Sequence, residues 1–162
     1  MKVIAHAPFV SRDIAQELGV ELVDIDRLLA ESDFISLHAA LTPQNYHLMG
    51  KEQLQKMKKN AYIINTARGG LIDEVALVEA IERGVIAGAA LDVTEPEPPR
   101  SDSPLFKTNK IILSAHTAQY SDEAISDLRR GVEENVFSVL GGDWPRGLIN
   151  PQAKEKYTKR WG

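Results

Sequence analysis

Short apolar runs alternate along the chain with segments in which apolar residues recur every three or four positions. The short runs are rich in valine, isoleucine and leucine and predict buried strands. The segments between them are apolar on one face and predict amphipathic helices. The predicted strands lie at 2–6, 20–23, 34–38, 62–64, 88–93 and 111–114, and the predicted helices at 12–18, 28–31, 51–59, 73–83 and 122–140. This alternation favours parallel βαβ units, so we expect a doubly wound α/β fold with helices on both faces of a mostly parallel sheet.

Capping residues mark the ends of several predicted helices. Ser11 precedes the first helix and Gly19 follows it, as an N-cap and a C′ residue do. Asp73 and Gly84 bracket a later helix in the same way, and Ser121 precedes the longest one. Helix and strand boundaries are therefore predicted by local chemistry as well as by apolar spacing.

Composition limits the classes of function. The chain has 162 residues, of which 43% are apolar and 26% charged, and this suits one domain with a tail. Its net charge of −4 and its lack of long basic runs argue against nucleic acid or an anionic membrane as a partner. It contains no cysteine and no apolar stretch of about 18 residues, which suits a cytoplasmic protein. The four histidines are scattered, so no metal site is predicted.

Four polar residues follow consecutive predicted strands in the second half of the chain. Arg68 follows the fourth strand, Asp92 and Glu97 lie at or after the end of the fifth, and His116 follows the sixth. Ligands of open α/β sheets bind at the carboxyl ends of the strands, so we expect these side chains to converge there. Each has a plainer interpretation when taken alone, as a surface ion pair, a solvated loop side chain or the end of a strand.

These four residue types can divide the work of hydride transfer between a 2-hydroxy acid and a 2-oxo acid. The planar guanidinium of Arg68 can bind a carboxylate at two points. His116 can give or take the proton on the neighbouring oxygen, and Glu97 can fix the tautomer of its imidazole. Asp92 is then expected to contact the nicotinamide end of a cofactor that supplies the hydride.

Two long motifs carry a resemblance to a known family. The segments INTARGGLIDEVALVEAIERGVIAGAALDVTEPEPP and IILSAHTAQYSDEA resemble the D-isomer-specific 2-hydroxyacid dehydrogenases, whose members include phosphoglycerate, glycerate and formate dehydrogenases. By this resemblance Arg68 corresponds to the substrate-binding arginine, Glu97 to its acidic partner and His116 to the acid/base histidine. The resemblance also implies cofactor contacts at Arg68 and His116 and at His38, Thr66, Ala67, Asp92, Thr117 and Ala118.

The resemblance implies a Rossmann-type fold, an NAD cofactor with NADP as the alternative, and a small 2-oxo or 2-hydroxy acid substrate. It also implies a homodimer. The run HTAQYSDEA followed by LRRGVEENV is most similar to the branch that contains the C-terminal-binding corepressors.

The sequence departs from the family pattern at its start. The family has a substrate domain, then a first strand and a GxGxxG turn, before the position of Met1, and none of these is found in the sequence. That strand is central in the family's sheet, so we expect a gap between the first two strands and the others, with two unpaired edges. Ala7 occupies the place of the acid that binds the adenosine ribose, and Arg12 is a candidate for an NADP phosphate.

Other differences from the family are Ala40, where proline is frequent, and Gln119, where an aromatic residue is common in the nearest branch. The expected organisation is a partial dinucleotide-binding domain over 1–141. A tail over 142–162 resembles the segment that returns to the family's substrate domain.

Three hypotheses follow. The first is an oxidoreductase fragment that carries the Arg68, Glu97 and His116 trio. The second is a dinucleotide-sensing binding module of the corepressor type, for which nicotinamide-dependent association without turnover would be diagnostic. The third is an inactive remnant, in which the same helices and strands only form a core.

Overall fold

The computed structural model describes residues 1–153, and the chain divides into two compact units. The first runs from Met1 to Ala118 and the second begins at Gln119. Each unit is described separately below.

The first unit contains short strands that alternate with helices, as the apolar pattern predicts. Its strands are β1 (Ile4–Ala5), β2 (Glu21–Leu22), β3 (Phe34–Leu37), β4 (Tyr62–Asn65), β5 (Gly88–Leu91) and β6 (Ile111–Leu113). Its helices are α1 (Arg12–Glu17), α2 (Ile25–Glu31), α3 (Lys51–Lys56) and α4 (Glu74–Glu82). Two short 3₁₀ turns cover Gly69–Leu71 and Pro104–Lys107.

All strand pairs are parallel, and they form two sheets. Strands β3, β4, β5 and β6 lie side by side in that order, whereas β1 pairs only with β2. The predicted break between the first two strands and the rest of the sheet is therefore confirmed. Because the four strands of the larger sheet run in the same direction in chain order, their carboxyl ends share one edge.

One hydrophobic core lies between the larger sheet and helices α2, α3 and α4. Alternate strand residues such as Ile35 and Ile63 are buried against Leu54, Leu77 and Ile81 from the helices. Each such side chain contributes roughly 1.5–3 kcal/mol by leaving water. This core fixes the sheet from which the polar loops extend.

The opposite strand positions are exposed. Phe34 is 64% exposed, Tyr62 44% and Ile112 72%, and the rings of Phe34 and Tyr62 stack with their centroids 5.7 Å apart. Within the first unit, the main core thus forms on one face of the larger sheet, although the sequence predicts helices on both faces.

The capping predictions are confirmed, and they explain most helix limits. Ser11 and Asp73 accept backbone N–H groups of the first turns of α1 and α4, and Gly19 and Gly84 have φ values of 67° and 66°. Helix α2 is longer than the predicted 28–31, because Asp24 caps it and accepts the N–H of Arg27 at 2.7 Å.

Several other elements are shorter than predicted. Helix α3 ends at Lys56 and not at residue 59, and the backbone of Met57 is already extended. Every strand except β4 also ends one or two residues early, so that His38 and Asp92 lie immediately after β3 and β5. Strand β4 extends one residue beyond its predicted end, to Asn65.

The second unit contains the longest helix, α5 (Asp122–Leu140). Ser121 caps it and Gly141 ends it, and Gly142 follows with a φ of 84°. The predicted tail over 142–162 is described only to residue 153, with a 3₁₀ turn at Pro151–Ala153; residues 154–162, including Trp161, lie outside the described part. No helix within residues 1–153 is long and apolar enough to cross a membrane.

Candidate active site

The residues predicted to carry chemistry lie at the carboxyl edge of the larger sheet. His38 directly follows β3, Arg68 comes three residues after β4, Asp92 directly follows β5, and His116 comes three residues after β6. The parallel register places these strand ends side by side. This is the edge at which open α/β sheets bind ligands.

His116 and Glu97 form a hydrogen-bonded pair. The imidazole Nδ1 lies 2.7 Å from Oε1 of Glu97, and the two side chains are 38% and 41% exposed. A carboxylate can only accept, so in the neutral imidazole Nδ1 carries the proton and Nε2 keeps a lone pair. The pair therefore presents an oriented Nε2 atom to any substrate at this edge.

The backbone of His116 lies in the left-handed region, with a φ of 56°. A non-glycine residue adopts this conformation only where its surroundings hold it. Here the N–H of His116 donates to the carbonyl of Asp92 at 2.9 Å, which fixes the turn after β6 against the end of β5.

Asp92 is buried, and both of its carboxylate oxygens accept hydrogen bonds. Oδ1 accepts the Ser114 hydroxyl at 2.5 Å and the N–H of Thr117 at 2.9 Å, while Oδ2 accepts the N–H of Ala118 at 3.0 Å. These donors, led by the Ser114 hydroxyl, lower the pKa of the Asp92 carboxyl group. In this structure Asp92 therefore holds the turn that carries His116.

The turn that carries Arg68 is held by a residue that the sequence reasoning missed. Asn65 is fully buried at the end of β4, where it donates to the carbonyl of Arg68 at 2.8 Å and accepts the N–H of Ala67 at 3.0 Å. The Arg68 guanidinium itself is exposed and donates to the carbonyl of Ala67 at 2.6 Å. Asn65 is a polar residue at the end of an apolar run, and this position is the sequence signal that could have indicated its role, because a buried polar side chain needs hydrogen-bond partners.

The turn after Arg68 also touches the loop that carries Glu97. A Cβ placed on Gly69 would lie 2.1 Å from the carbonyl oxygen of Thr94 and 2.7 Å from the nitrogen of Glu95. Only glycine permits this approach of two backbones. Gly69 thus joins the two loops that bring Arg68 and Glu97 to one edge, a role that no local sequence signal indicates.

The other predicted cofactor positions are mostly exposed. His38 places its Nε2 2.8 Å from the Ser36 hydroxyl, and Thr66, Thr117 and Ala118 are exposed around the strand ends. Among residues 1–153 no group of three or more potential metal ligands occurs.

Replacing Asp92 by asparagine should destabilise the protein in a pH-dependent way. An amide offers one acceptor where two oxygens are used, and its NH₂ group would face backbone donors. Because folding lowers the pKa of Asp92, its ionised form stabilises the native state above the unfolded value of about 3.9, and this contribution is lost as the pH falls through the folded value. The stability gap between wild type and variant, measured by urea unfolding, should be widest near neutral pH and narrow on acidification.

Ser114→Ala is the matched control, because it removes one donor and keeps the Asp92 carboxylate. It should produce a smaller gap. A gap for Asp92→Asn that stays constant from neutral to acid pH would contradict this account.

The fold and the site geometry define a dinucleotide-binding α/β domain of the Rossmann type. Residues 1–118 match the sequence model of the family described as "D-isomer specific 2-hydroxyacid dehydrogenase, NAD binding domain". The chain therefore belongs to the D-isomer-specific 2-hydroxyacid dehydrogenase family.

Individual relatives agree with this assignment. A glyoxylate reductase of Korarchaeum cryptofilum is 42% identical over 152 residues, which are 94% of this chain and 46% of the relative. A D-3-phosphoglycerate dehydrogenase of Methanocaldococcus jannaschii is 44% identical over 159 residues, 95% of this chain and 30% of the relative. The chain thus spans less than half the length of these two relatives.

A solved structure matches the fold closely. The NAD-complexed form of a D-isomer specific 2-hydroxyacid dehydrogenase from Lactobacillus delbrueckii ssp. bulgaricus superposes with a TM-score of 0.82 and 33% identity, over 92% of this chain and 49% of that one. The two relatives and the solved structure all carry the names of enzymes. The predicted similarity to the corepressor branch is not supported.

Proposed function

We propose that this chain forms the dinucleotide-binding and acid/base part of an oxidoreductase that interconverts a small 2-oxo acid and its D-2-hydroxy acid. The observation that carries the proposal is the 2.7 Å pair between His116 and Glu97, at the sheet edge where the turn of Arg68 also lies. The family assignment supports the same reaction class.

His116 is proposed as the group that exchanges a proton with the substrate oxygen. With Nδ1 hydrogen-bonded to Glu97, Nε2 can accept a proton from the hydroxyl group of a 2-hydroxy acid. In the reverse direction the protonated imidazole can give this proton to the carbonyl oxygen of the 2-oxo acid. The Glu97 carboxylate stabilises the imidazolium that forms when Nε2 takes the proton. His116 and Glu97 thus act as acid/base and orienting group.

Arg68 is proposed as the anchor for the substrate carboxylate. Its guanidinium has five N–H donors, and only one of its terminal nitrogens is engaged by the Ala67 carbonyl. The remaining donors can form a two-point contact with a carboxylate. This contact supports a carboxylate-bearing substrate, and the glyoxylate reductases among the relatives support glyoxylate or a similarly small 2-oxo acid.

The edge of the sheet fits the nicotinamide end of a dinucleotide. Thr66, Thr117 and Ala118 are small, exposed residues beside the turns of Arg68 and His116, which leaves room for a flat ring. The proposed contact set is completed by His38, Ala67, Arg68, Asp92 and His116, and Asp92 also holds the His116 turn. When bound, the cofactor supplies or takes the hydride.

NAD is the proposed cofactor, with NADP as the alternative that Ala7 leaves open. A homodimer and a cytoplasmic location stay predictions. Both follow from the resemblance and composition described above.

The chain alone should bind NADH weakly and reduce glyoxylate little or not at all. Its sequence contains no GxGxxG turn, which in such folds provides backbone N–H groups and a helix N-terminus for the pyrophosphate. A chimera in which this chain replaces the matching part of the K. cryptofilum glyoxylate reductase should restore both properties. Isothermal titration with NADH and loss of its absorbance in the presence of glyoxylate measure them.

The matched control is the same chimera with His116→Gln, which should lose turnover and keep most of its affinity for NADH, because the other proposed cofactor contacts remain. Strong reduction of glyoxylate by the chain alone, dependent on His116, would contradict the first expectation. A folded chimera that binds NADH without reducing any 2-oxo acid would contradict the proposed function.

A further inference from the structure

Glu95 lies at the centre of a contact network outside the proposed catalytic trio. It precedes Pro96 and Glu97 in the loop after β5, and its carboxylate approaches two residues of a distant loop, Tyr46 and His47. None of these three residues carries a local signal in the sequence.

The side chain of Glu95 is held from one side by an aromatic pair. Its Oε2 atom lies 3.4 Å from Nε2 of His47, and the Glu95 carboxylate raises the pKa of the nearby Tyr46 phenol. The rings of Tyr46 and His47 stack with centroids 4.0 Å apart. The N–H of His47 donates to the carbonyl of Gly70 at 2.8 Å, so the pair is tied to the turn of Arg68.

The backbone of Glu95 is held from the other side by helix α4. Its N–H donates to Oε1 of Glu74 at 2.7 Å, in the first turn of that helix. Burial raises the pKa of the Glu74 carboxyl group. Gly69 and Gly70 leave space for this arrangement, because a Cβ on Gly70 would lie 3.2 Å from Oε1 of Glu95.

The segment between Glu95 and Glu97 is stiff. Pro96 and Pro98 fix their own φ angles, and each restricts the residue before it to extended conformations. Thr94 adds a hydrogen bond from its hydroxyl to the carbonyl of Pro96 at 3.0 Å. The position of Glu95 therefore determines where Glu97 is placed, two residues further along.

We propose that Glu95 is a positioning residue, which sets the Glu97 carboxylate against Nδ1 of His116 through its contacts with Tyr46, His47 and Glu74. The importance of Glu95 for the reaction rests on the proposed function, whereas its effect on the His116 imidazole does not. Without the Glu95 side chain, the loop keeps its backbone hydrogen bond to Glu74 and loses the side-chain contacts that connect it to the turn of Arg68.

The tautomer of His116 tests this directly in the full 162-residue chain. Long-range ¹H–¹⁵N correlation spectra at a pH where the imidazoles are neutral distinguish Nδ1–H from Nε2–H, and the chain has only four histidines to assign. Wild type should show His116 with its proton on Nδ1. Glu95→Ala should lose this form in favour of Nε2–H.

Two further variants separate positioning from general disturbance. Glu95→Gln keeps a side-chain oxygen for Tyr46 and His47 and should retain the Nδ1–H form. Glu79→Gln, which changes an exposed glutamate 4.0 Å from Arg83 on α4, should leave the spectrum of His116 unchanged. If Glu95→Ala does not fold, the double variant Tyr46→Phe/His47→Ala decides the matter, since it removes both side-chain partners of Glu95 and leaves Glu95 in place.

The proposal is overturned if Glu95→Ala, or the double variant in its stead, keeps the wild-type tautomer of His116. It is also overturned if wild type itself carries the proton on Nε2, because the Glu97 pair would then be absent. The first outcome leaves the proposed reaction untouched, because the His116–Glu97 pair would still be present. The second would remove the observation on which the proposed reaction also rests, and turnover of the chimera then tests that reaction separately.

Discussion

Replacing His116 by glutamine in a catalytically active chimera should lower kcat/KM for glyoxylate reduction by about 10²–10⁴-fold, the range for loss of a general acid/base. Glutamine keeps a polar side chain that can donate to Glu97, but it has no titratable proton to exchange with the substrate oxygen. Because the loss concerns proton transfer, it should appear chiefly in kcat, with a much smaller change in the affinity for NADH. Steady-state kinetics with glyoxylate and titration with NADH measure the two quantities.

His6→Gln is the matched control for this substitution. His6 is exposed after β1, and its Nδ1 atom lies 3.2 Å from the carbonyl of Val23. Its replacement should leave kcat/KM at the level of the parent. A His116→Gln chimera that stays within tenfold of the parent would place the acid/base group elsewhere.

The elements that the sequence predicts well are those determined by local chemistry. Ser11, Asp73 and Ser121 can each satisfy the free N–H groups of a helix within three residues, so the starts of α1, α4 and α5 can be inferred without knowledge of the rest of the fold. The lengths of α2 and α3 were less predictable. Asp24 starts α2 directly after the predicted strand over 20–23, with no loop between them, and α3 ends where Met57 turns into the core.

The location of the site at one edge of the sheet could be predicted, because the strand topology determines it. Once the strands are known to be parallel, residues such as Arg68 and His116 that follow them must lie at the same edge. The pairing of His116 with Glu97 also agrees with what the sequence predicts, since both residue types suit a carboxylate–imidazole contact.

The contacts that hold the site residues in place could not be predicted, because they connect distant parts of the chain. The contact of His47 with Glu95 joins residues that have no periodic or capping relation, and both look like ordinary loop residues in the sequence. Asp92 likewise has a structural role, in addition to its predicted cofactor contact, which stays a prediction. Its oxygens are used by Ser114 and the turn after β6, which is a tertiary arrangement that a strand-end aspartate does not reveal.

Replacing Gly69 by alanine should be the most damaging single change to the described site. The added Cβ would lie 2.1 Å from the oxygen and 2.2 Å from the carbonyl carbon of Thr94, and both are backbone atoms that cannot rotate away. Overpacking of this kind costs about 1–3 kcal/mol, and we expect the upper end because the atoms in the way belong to the backbone and not to the end of a flexible side chain. Urea unfolding followed through the amide signals of β4 measures the loss of stability.

Gly131→Ala is the matched control, because nothing lies within 4 Å of a Cβ at Gly131 in the middle of α5. It should stabilise that helix by about 0.5–1 kcal/mol, as alanine does in helix interiors, and this change is followed through the amide signals of α5. The two substitutions add the same methyl group with opposite expected signs, so a general effect of alanine cannot explain both. A Gly69→Ala protein as stable as wild type would mean that the loops of Arg68 and Glu97 are not in backbone contact, and the convergence of the trio would then lose its structural basis.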